Sequence, residues 1–310
     1  MKVVVTGAAG FIGSHLCEAL LARGDTVVGV DCFTDYYERR HKEANLEGLH
    51  AAPGFTLAEV DLRTAPLEPI VDGADAVVNE AATPGLVLSW DDFERYQSCN
   101  LGAVQRLAAA CSAVGIGHFV QASTSSVYGV EATGPESSPT HPASPYGVTK
   151  LAAEQLLDAY RSTGGLPLTV LRYFSVYGPR QRPDMAYRTF CDRLLRGEPI
   201  TIFGDGAQTR SNTYVTDAVA ATVAALDAEP AGATYNVGGG RELALLDAVA
   251  LLAEALGVDP VLEHRPARRG DQRRTVADTS RIARDLGWAP VVAPEEGLLR
   301  QARWALGRRR

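Results

Sequence analysis

The sequence predicts an α/β protein: a doubly wound parallel sheet carrying a smaller C-terminal α/β lobe. Three observations predict it. Short apolar runs alternate with amphipathic stretches through the first 175 residues, a glycine-rich turn follows the first of those runs, and shorter elements take over beyond residue 175. Strands buried on both faces read as continuous apolar runs, and the crossover helices between them force parallel pairing.

The elements follow in order. Residues 2–6 are an apolar run, read as a buried strand. Residues 12–23 are helical by period, with Ile12, Leu16, Leu20 and Leu21 on one face. Val27 to Val30, Phe55 to Val60, Ala74 to Val78, Phe119 to Ala122 and Leu168 to Leu171 are further strands, with helices expected near 92–113 and 145–162. Val176-Tyr177-Gly178-Pro179 breaks the alternation. Beyond it the sequence predicts helices near 185–196, 216–227, 243–256, 280–286 and 294–306, a strand Ile200-Thr201-Ile202-Phe203, and a turn at Gly204-Asp205-Gly206. The expected division is 1–175 and 176–310, with the chain returning to the first sheet near Tyr235-Asn236-Val237.

Composition bounds the function. The 310 residues are 46% apolar, enough for a sizeable core, and carry a net charge of −7. That charge argues against non-specific nucleic-acid binding. The run Arg308-Arg309-Arg310 reads as a solvated terminus. Cys17, Cys32, Cys99, Cys111 and Cys191 show no CxxC spacing and no close histidine. They are expected to be free thiols in a reducing cytoplasm, with no metal site. Met1-Lys2 runs straight into Val3-Val4-Val5, too short and too early for a signal peptide. No apolar run is long enough to span a membrane.

Thr6-Gly7-Ala8-Ala9-Gly10-Phe11-Ile12-Gly13 lies between the first strand and the first helix. Glycines there permit a tight turn and let backbone N–H groups at a helix N-terminus approach a pyrophosphate, as in Rossmann-like dinucleotide sites. A tight turn alone needs no ligand, but Asp31 ends the second strand, where a carboxylate binds both ribose hydroxyls and repels a 2′-phosphate. NAD is therefore favoured over NADP. Asp61-Leu62 ends the third strand; an acid there meets the adenine amine or simply faces water.

The catalytic expectation rests on Tyr146 and Lys150, four residues apart and so on one helix face. A nearby ammonium lowers a tyrosine pKa and makes it a working base. Thr124 lies at the C-terminal end of a strand, where open α/β sheets bind ligands. A Tyr and Lys at this spacing are ordinarily just a helix pair; joined to Thr124 and the glycine turn, they read as machinery for moving a proton and a hydride to and from a nicotinamide.

These residues, with Tyr173 to Pro179, Gly204 to Arg210, Tyr214, Gly270-Asp271 and Ala277-Asp278, resemble the extended short-chain dehydrogenase/reductases, the NAD-dependent nucleotide-sugar epimerases, dehydratases and decarboxylases. The resemblance runs over almost the whole chain. It implies a tightly held NAD touching Gly7, Gly10, Phe11, Ile12, Gly13, Asp31, Cys32, Asp61, Leu62, Ala81, Ala82, Asn100, Ser123, Tyr146, Lys150, Tyr173, Ser175 and Val176. It implies a nucleotide sugar held by the smaller lobe: Ser175 near the diphosphate, Thr201 to Phe203 beside the base, Arg210 and Arg269 on phosphate, Asp271 on ribose. Pro84, Thr124, Ser125, Ser126, Tyr146, Arg182, Met185 and Ala186 complete the implied substrate set.

Asp31-Cys32-Phe33-Thr34-Asp35-Tyr36-Tyr37 and Arg182-Pro183-Asp184-Met185-Ala186 resemble UDP-glucuronate 4-epimerases in particular, and Ser125 and Ser126 suit a sugar carboxylate. Dehydratases of the family place Asp-Glu at 125–126 and decarboxylases a Glu; this chain has two serines. The implied activity is C4 epimerisation of a UDP-hexose, UDP-glucuronate ahead of UDP-glucose. A decarboxylase or dehydratase with an unusual site, and a non-catalytic nucleotide-sugar sensor, are the other readings. Two departures stand out. Asn79-Glu80-Ala81-Ala82 replaces the usual His-Leu-Ala-Ala, and Leu86-Val87 lacks the arginine common at position 87. The resemblance also implies a homodimer through the helices near 92–113 and 145–162, whose apolar residues include Leu107, Cys111, Val114, Leu151, Leu156 and Leu157.

Overall fold

The computed structural model describes residues 1–267 and 273–308. Its central sheet has seven strands. They are β1 (Lys2–Thr6), β2 (Thr26–Asp31), β3 (Phe55–Glu59), β4 (Ala76–Asn79), β5 (His118–Thr124), and the strands Leu168–Tyr173 and Thr234–Val237. From one edge the order is Thr234–Val237, Leu168–Tyr173, β5, β4, β1, β2, β3, parallel throughout. The order reverses between β1 and β4, which opens a crevice at the C-terminal ends of those strands.

Side chains alternate across the sheet. Val3 and Val5 join one hydrophobic cluster with Leu16 and Leu20 of helix α1 (Phe11–Ala22), while Val4 and Val77 join another with Leu107 and Leu157. The first cluster continues into the second half of the chain through Phe190, Val219, Leu298 and Ala302. The core therefore runs unbroken past residue 175, and the return at 234–237 completes the sheet's edge.

Three elements differ from the sequence expectation, each for a physical reason. Val176-Tyr177 is not only a break: it is a short strand paired in parallel with Thr213–Tyr214. Helix α2 (Arg39–His50) has no clear apolar period, because half of its buried face is polar. Lys42 reaches the Asp31 carboxylate at 3.2 Å, and the Asn45 amide donates to the Ala9 carbonyl at 3.0 Å. The helix expected over 92–113 is Phe93–Gln97 and Ala103–Val114 joined by a π-helical turn, Ser98–Gly102. That turn carries Asn100, whose amide clamps Thr83 N–H at 2.7 Å and Thr83 C=O at 3.0 Å.

The helix Pro145–Gly164 starts on a Ser144 side-chain cap with Pro145 in its first turn. It is tied to the sheet by a buried ion pair. Arg172 Nη2 donates to Glu154 Oε2 at 2.6 Å, and Ser123 Oγ of β5 donates to the other Glu154 oxygen. Arg172 Nη1 also donates to the Tyr128 phenol at 2.8 Å, which donates to Asn236 at 2.7 Å. Removing one partner of such a pair strands a buried charge, whereas replacing both by apolar groups is far better tolerated. Arg172→Ala should lose about 3–5 kcal/mol in urea unfolding, and Arg172→Met with Glu154→Leu should recover most of it. A single-variant loss below about 1 kcal/mol would show the pair to be effectively solvated.

Candidate active site

Two cavities open at the C-terminal ends of the strands. The first is bounded by the turn from β1 into α1 (Gly7, Gly10, Phe11, Ile12, Gly13), by Asp31 at the end of β2 and Cys32 after it, and by Asp61 and Leu62 after β3. Ala81, Ala82 and Pro84 follow β4, and Ser123, Tyr146, Lys150 and Tyr173 close the far end. The turn is shaped by close approach: a Cβ on Gly13 would lie 2.2 Å from the Gly7 carbonyl oxygen, and Gly7 itself has φ +68°. Helix α1 begins at Gly10 with no side-chain cap and no acid in its first turn, a helix end suited to an anionic ligand.

Asp31 is buried beside this turn. Its carboxylate accepts from Ala9 N–H at 3.2 Å, from Phe33 N–H at 2.8 Å and from Lys42 at 3.2 Å, yet still borders the cavity. A glycine cradle at a bare helix N-terminus, with one carboxylate at the end of the next strand, fits a dinucleotide with free ribose hydroxyls. Asp61 lies just beyond β3, not on its last residue, and the Arg63 guanidinium at 2.7 Å holds its carboxyl below the usual carboxylate range.

At the far end, the Thr124 hydroxyl is hydrogen-bonded to the Tyr146 phenol. Lys150 Nζ donates to the Ala122 carbonyl at 2.6 Å. Burial pushes Lys150 down to about 8 and pushes Tyr146 above its ordinary value, with the Thr124 bond and the Arg182 charge opposing the latter shift. This corrects one expectation. Tyr146 and Lys150 do share a helix face and a cavity, but the protein alone holds the phenol neutral. The ammonium is committed to the strand carbonyl, and desolvation outweighs every charge acting on the phenol.

The second cavity, of about 620 Å³, is lined by Ser175, Val176, Met185, Ala186, Thr201, Phe203 and Arg210, a size that takes a small organic ligand. Ser175 and Val176 thus face this cavity and not the first. Arg182 faces the first, its guanidinium paired with both Asp184 oxygens at 3.0 Å. Asn100 lines neither, since Thr83 and Thr149 occupy its amide. Thr124 reaches the first cavity only through Tyr146; Ser125 is buried, and the Ser126 backbone N–H donates to Thr124 Oγ1 at 3.1 Å. Arg269 and Asp271 lie outside the described residues. Among the described residues no group of acids, histidines and cysteines could hold a metal ion.

The structure adds lining residues to which motif reading gives no site role, Tyr36 and Tyr37 of the quoted loop among them. Lys42, Tyr36, Tyr37 and Arg63 line the first cavity, and Tyr187, Phe190 and Asn212 the second. Lys42 sits eleven residues past Asp31 on a helix without apolar period, so no spacing announces it. Position 80 is different, since its departure from the common pattern is visible in the sequence. Glu80 lines the first cavity and accepts from the Tyr173 phenol at 2.7 Å, and that phenol also meets Thr222 Oγ1 at 2.6 Å. Its neighbour Asn79 has a plain structural account. It accepts from Thr6 Oγ1 at 2.5 Å and donates to Gln121 at 2.9 Å, lacing the ends of β1 and β4 to the middle of β5.

The model of the NAD dependent epimerase/dehydratase family matches residues 3–238. The uncharacterized UDP-glucose epimerase YtcB of Bacillus subtilis is 42% identical over 303 residues, 96% of each chain. The UDP-glucuronic acid 4-epimerase of Bacillus cereus, solved with UDP-glucuronic acid and NAD, superposes with a TM-score of 0.96 at 39% identity over 99% of each chain. The dTDP-glucose 4,6-dehydratase DesIV of Streptomyces venezuelae, solved with NAD, gives 0.93 at 34% identity over 100% of this chain and 98% of that one. Overall likeness therefore spans two chemistries, and the choice between them falls to individual side chains. With three quarters of its length inside the family match, the chain belongs to the NAD dependent epimerase/dehydratase family.

Proposed function

We propose that the chain epimerises C4 of a UDP-hexose, UDP-glucuronate ahead of UDP-glucose. The observation that carries this reading is the convergence of Thr124, Tyr146 and Lys150 at one end of a dinucleotide-shaped cavity, followed by Ser125-Ser126 instead of acids. Elimination of water needs a proton donor to the leaving hydroxyl and a base for the carbon beside it. Two serines supply neither at neutral pH.

NAD, when bound, would supply the acceptor and the donor for the C4 hydride. Gly7, Gly10 and Gly13 with the α1 N-terminus would hold its diphosphate, Asp31 its adenosine ribose, and Lys150 and Tyr173 would stand at its nicotinamide end. Tyr146 takes the O4 proton as the carbinol is oxidised and gives it back on reduction. Because burial disfavours the tyrosinate, it forms only with support from the Thr124 hydroxyl, the Arg182 charge and the charge that bound ligands bring. The 4-keto sugar must then present its other face while its nucleotide stays anchored. The second cavity supports that division of labour, with Phe203 and Thr201 for the base and Ser175 and Arg210 for the diphosphate. Val87 is 57% exposed and brings no charge. Arg182 supplies a cation on the Tyr146 side of the cleft, which favours a C5 carboxylate. Residues 1–175 would then form the cofactor unit and 176–310 the sugar-nucleotide unit.

A cytoplasmic homodimer is part of the same proposal. Leu107, Cys111 and Leu157 are consumed by the chain's own core. The apolar side chains left outside on the 87–93 segment and the Pro145–Gly164 helix are Val87, Leu88, Trp90, Phe93 and Val148, and a second copy would cover them. A monomeric mass by light scattering at micromolar concentration would remove the dimer.

The proposal is tested by incubating the protein with UDP-glucuronate, UDP-glucose and UDP-N-acetylglucosamine and resolving products by NMR. The expected product is UDP-galacturonate. Release of CO2, or a persistent 4-keto-6-deoxy sugar, would overturn the epimerase reading. Tyr146→Phe should lose at least about 10²-fold in kcat while retaining NAD; near-normal turnover would take the proton transfer away from Tyr146.

A further inference from the structure

Glu80 is the carboxylate at the reactive end of the first cavity, and nothing in the proton transfer uses it. The cavity has a direction. Asp31 and Asp61 mark one end, the α1 N-terminus the middle, and Tyr146 and Lys150 the other end. A dinucleotide lying along it places its nicotinamide beside Glu80.

Each element packed around Glu80 brings a group. Tyr173, on the strand Leu168–Tyr173, donates its phenol at 2.7 Å and is itself held neutral, well above its ordinary pKa, by burial. Thr222, from the helix Val215–Asp227, meets that phenol but carries no charge. Lys150 and Tyr146, on the helix Pro145–Gly164, feel the Glu80 charge. Cys17 of α1 feels it too, but burial pushes its thiol up to about 12. Among these groups Lys150 is the cation. Burial pushes Glu80 up to about 7, with the Tyr173 bond and the Lys150 charge opposing.

We propose that Glu80 is a positioning residue that sets the charge at the nicotinamide end of the cleft, so that the protein binds the dinucleotide with its oxidised, cationic ring in preference to the one with its reduced, neutral ring. The reason is electrostatic. Hydride uptake delivers two electrons and one proton to the ring and erases its positive charge. Without Glu80, the uncompensated charge there is the Lys150 ammonium, since the Arg182 guanidinium is paired with Asp184, and that ammonium repels an oxidised ring. An ionised carboxylate there neutralises the ammonium and restores preference for the cation. At a few ångströms in a partly desolvated site, one unit charge is worth at least a tenfold change in affinity. An enzyme that must return to the oxidised form after every turnover gains from that bias. Tyr173, by filling one Glu80 oxygen, fixes where the charge sits.

This inference rests on the nicotinamide reading of the cavity, not on which sugar is turned over. Its test needs no substrate, so its failure and the failure of the epimerase reading are separate results. Dissociation constants for NAD⁺ and NADH are measured by calorimetry on cofactor-stripped protein, wild type, Glu80→Gln and Glu80→Leu. Glutamine keeps an acceptor for Tyr173 and removes the charge; leucine removes both. The NADH-to-NAD⁺ ratio of dissociation constants should fall roughly tenfold in both variants. In the wild type the ratio should rise between about pH 6 and about pH 7.5, as Glu80 ionises, and both variants should lose the Glu80 part of that rise, keeping only what deprotonation of Lys150 contributes. A glutamine variant with the wild-type ratio at about pH 7.5 would overturn the proposal and reduce Glu80 to a hydrogen-bond acceptor. So would a wild-type ratio that does not move with pH.

Discussion

The helix Pro145–Gly164 can deliver a phenol and an ammonium to the cleft only while it keeps one register against the sheet, and the buried Glu154 carboxylate sets that register. Glu154 lies one turn beyond Lys150 and two beyond Tyr146. It is gripped by Arg172 from the strand Leu168–Tyr173 and by Ser123 from β5. A slip of one residue turns the helix by about 100° and would leave both charges of the pair buried and alone. Buried pairs add little net stability, but breaking one is costly, and that asymmetry makes them good at fixing geometry. Lys150 completes the joint from the same helix face by donating to Ala122.

With that register held, the rest of the site is a matter of where charge is placed. The bare α1 N-terminus and the glycines beneath it make a seat for an anion. Asp31, neutralised by Lys42, makes a polar seat with little net charge beside it. At the reactive end the charges are fewer and deeper, and desolvation is the largest influence on Tyr146, Lys150 and Glu80 alike. A neutral phenol beside a weakened ammonium is a resting arrangement; proton transfer draws on whatever charge the ligands bring. The second cavity carries Phe203 and Arg210 in its lining, and on the proposed reading they would hold the nucleotide while the sugar end turns.

Much of this was legible in the residues. Parallel strands buried on both faces announce themselves as apolar runs, and Gly7, Gly10, Gly13 and Asp31 line the first cavity because backbone geometry and strand-end placement bring them there. Tyr146 and Lys150 share a cavity as helical spacing requires. What local pattern could not carry is long-range polar pairing. Helix α2 is hidden because Lys42 and Asn45 face inward to Asp31 and Ala9, so its period reads as polar. Asn100 reads as a ligand contact but spends its amide on the loop at Thr83. The expected effect of Lys150 on Tyr146 fails because spacing says nothing about desolvation, or about the Ala122 carbonyl that claims the ammonium. Glu80 could be noticed in sequence, but its partner Tyr173 is 93 residues away and is brought to it only by the sheet.

The central claim is that the hydride leaves C4 and comes back to C4 within one protein-bound cycle. The most direct test follows a deuterium placed at C4 of UDP-glucuronate through turnover in ordinary water, reading products by NMR and mass spectrometry. The account predicts inverted configuration at C4 with the label retained there. Label exchanged into solvent, or a product that has lost its carboxylate as CO2, would contradict it.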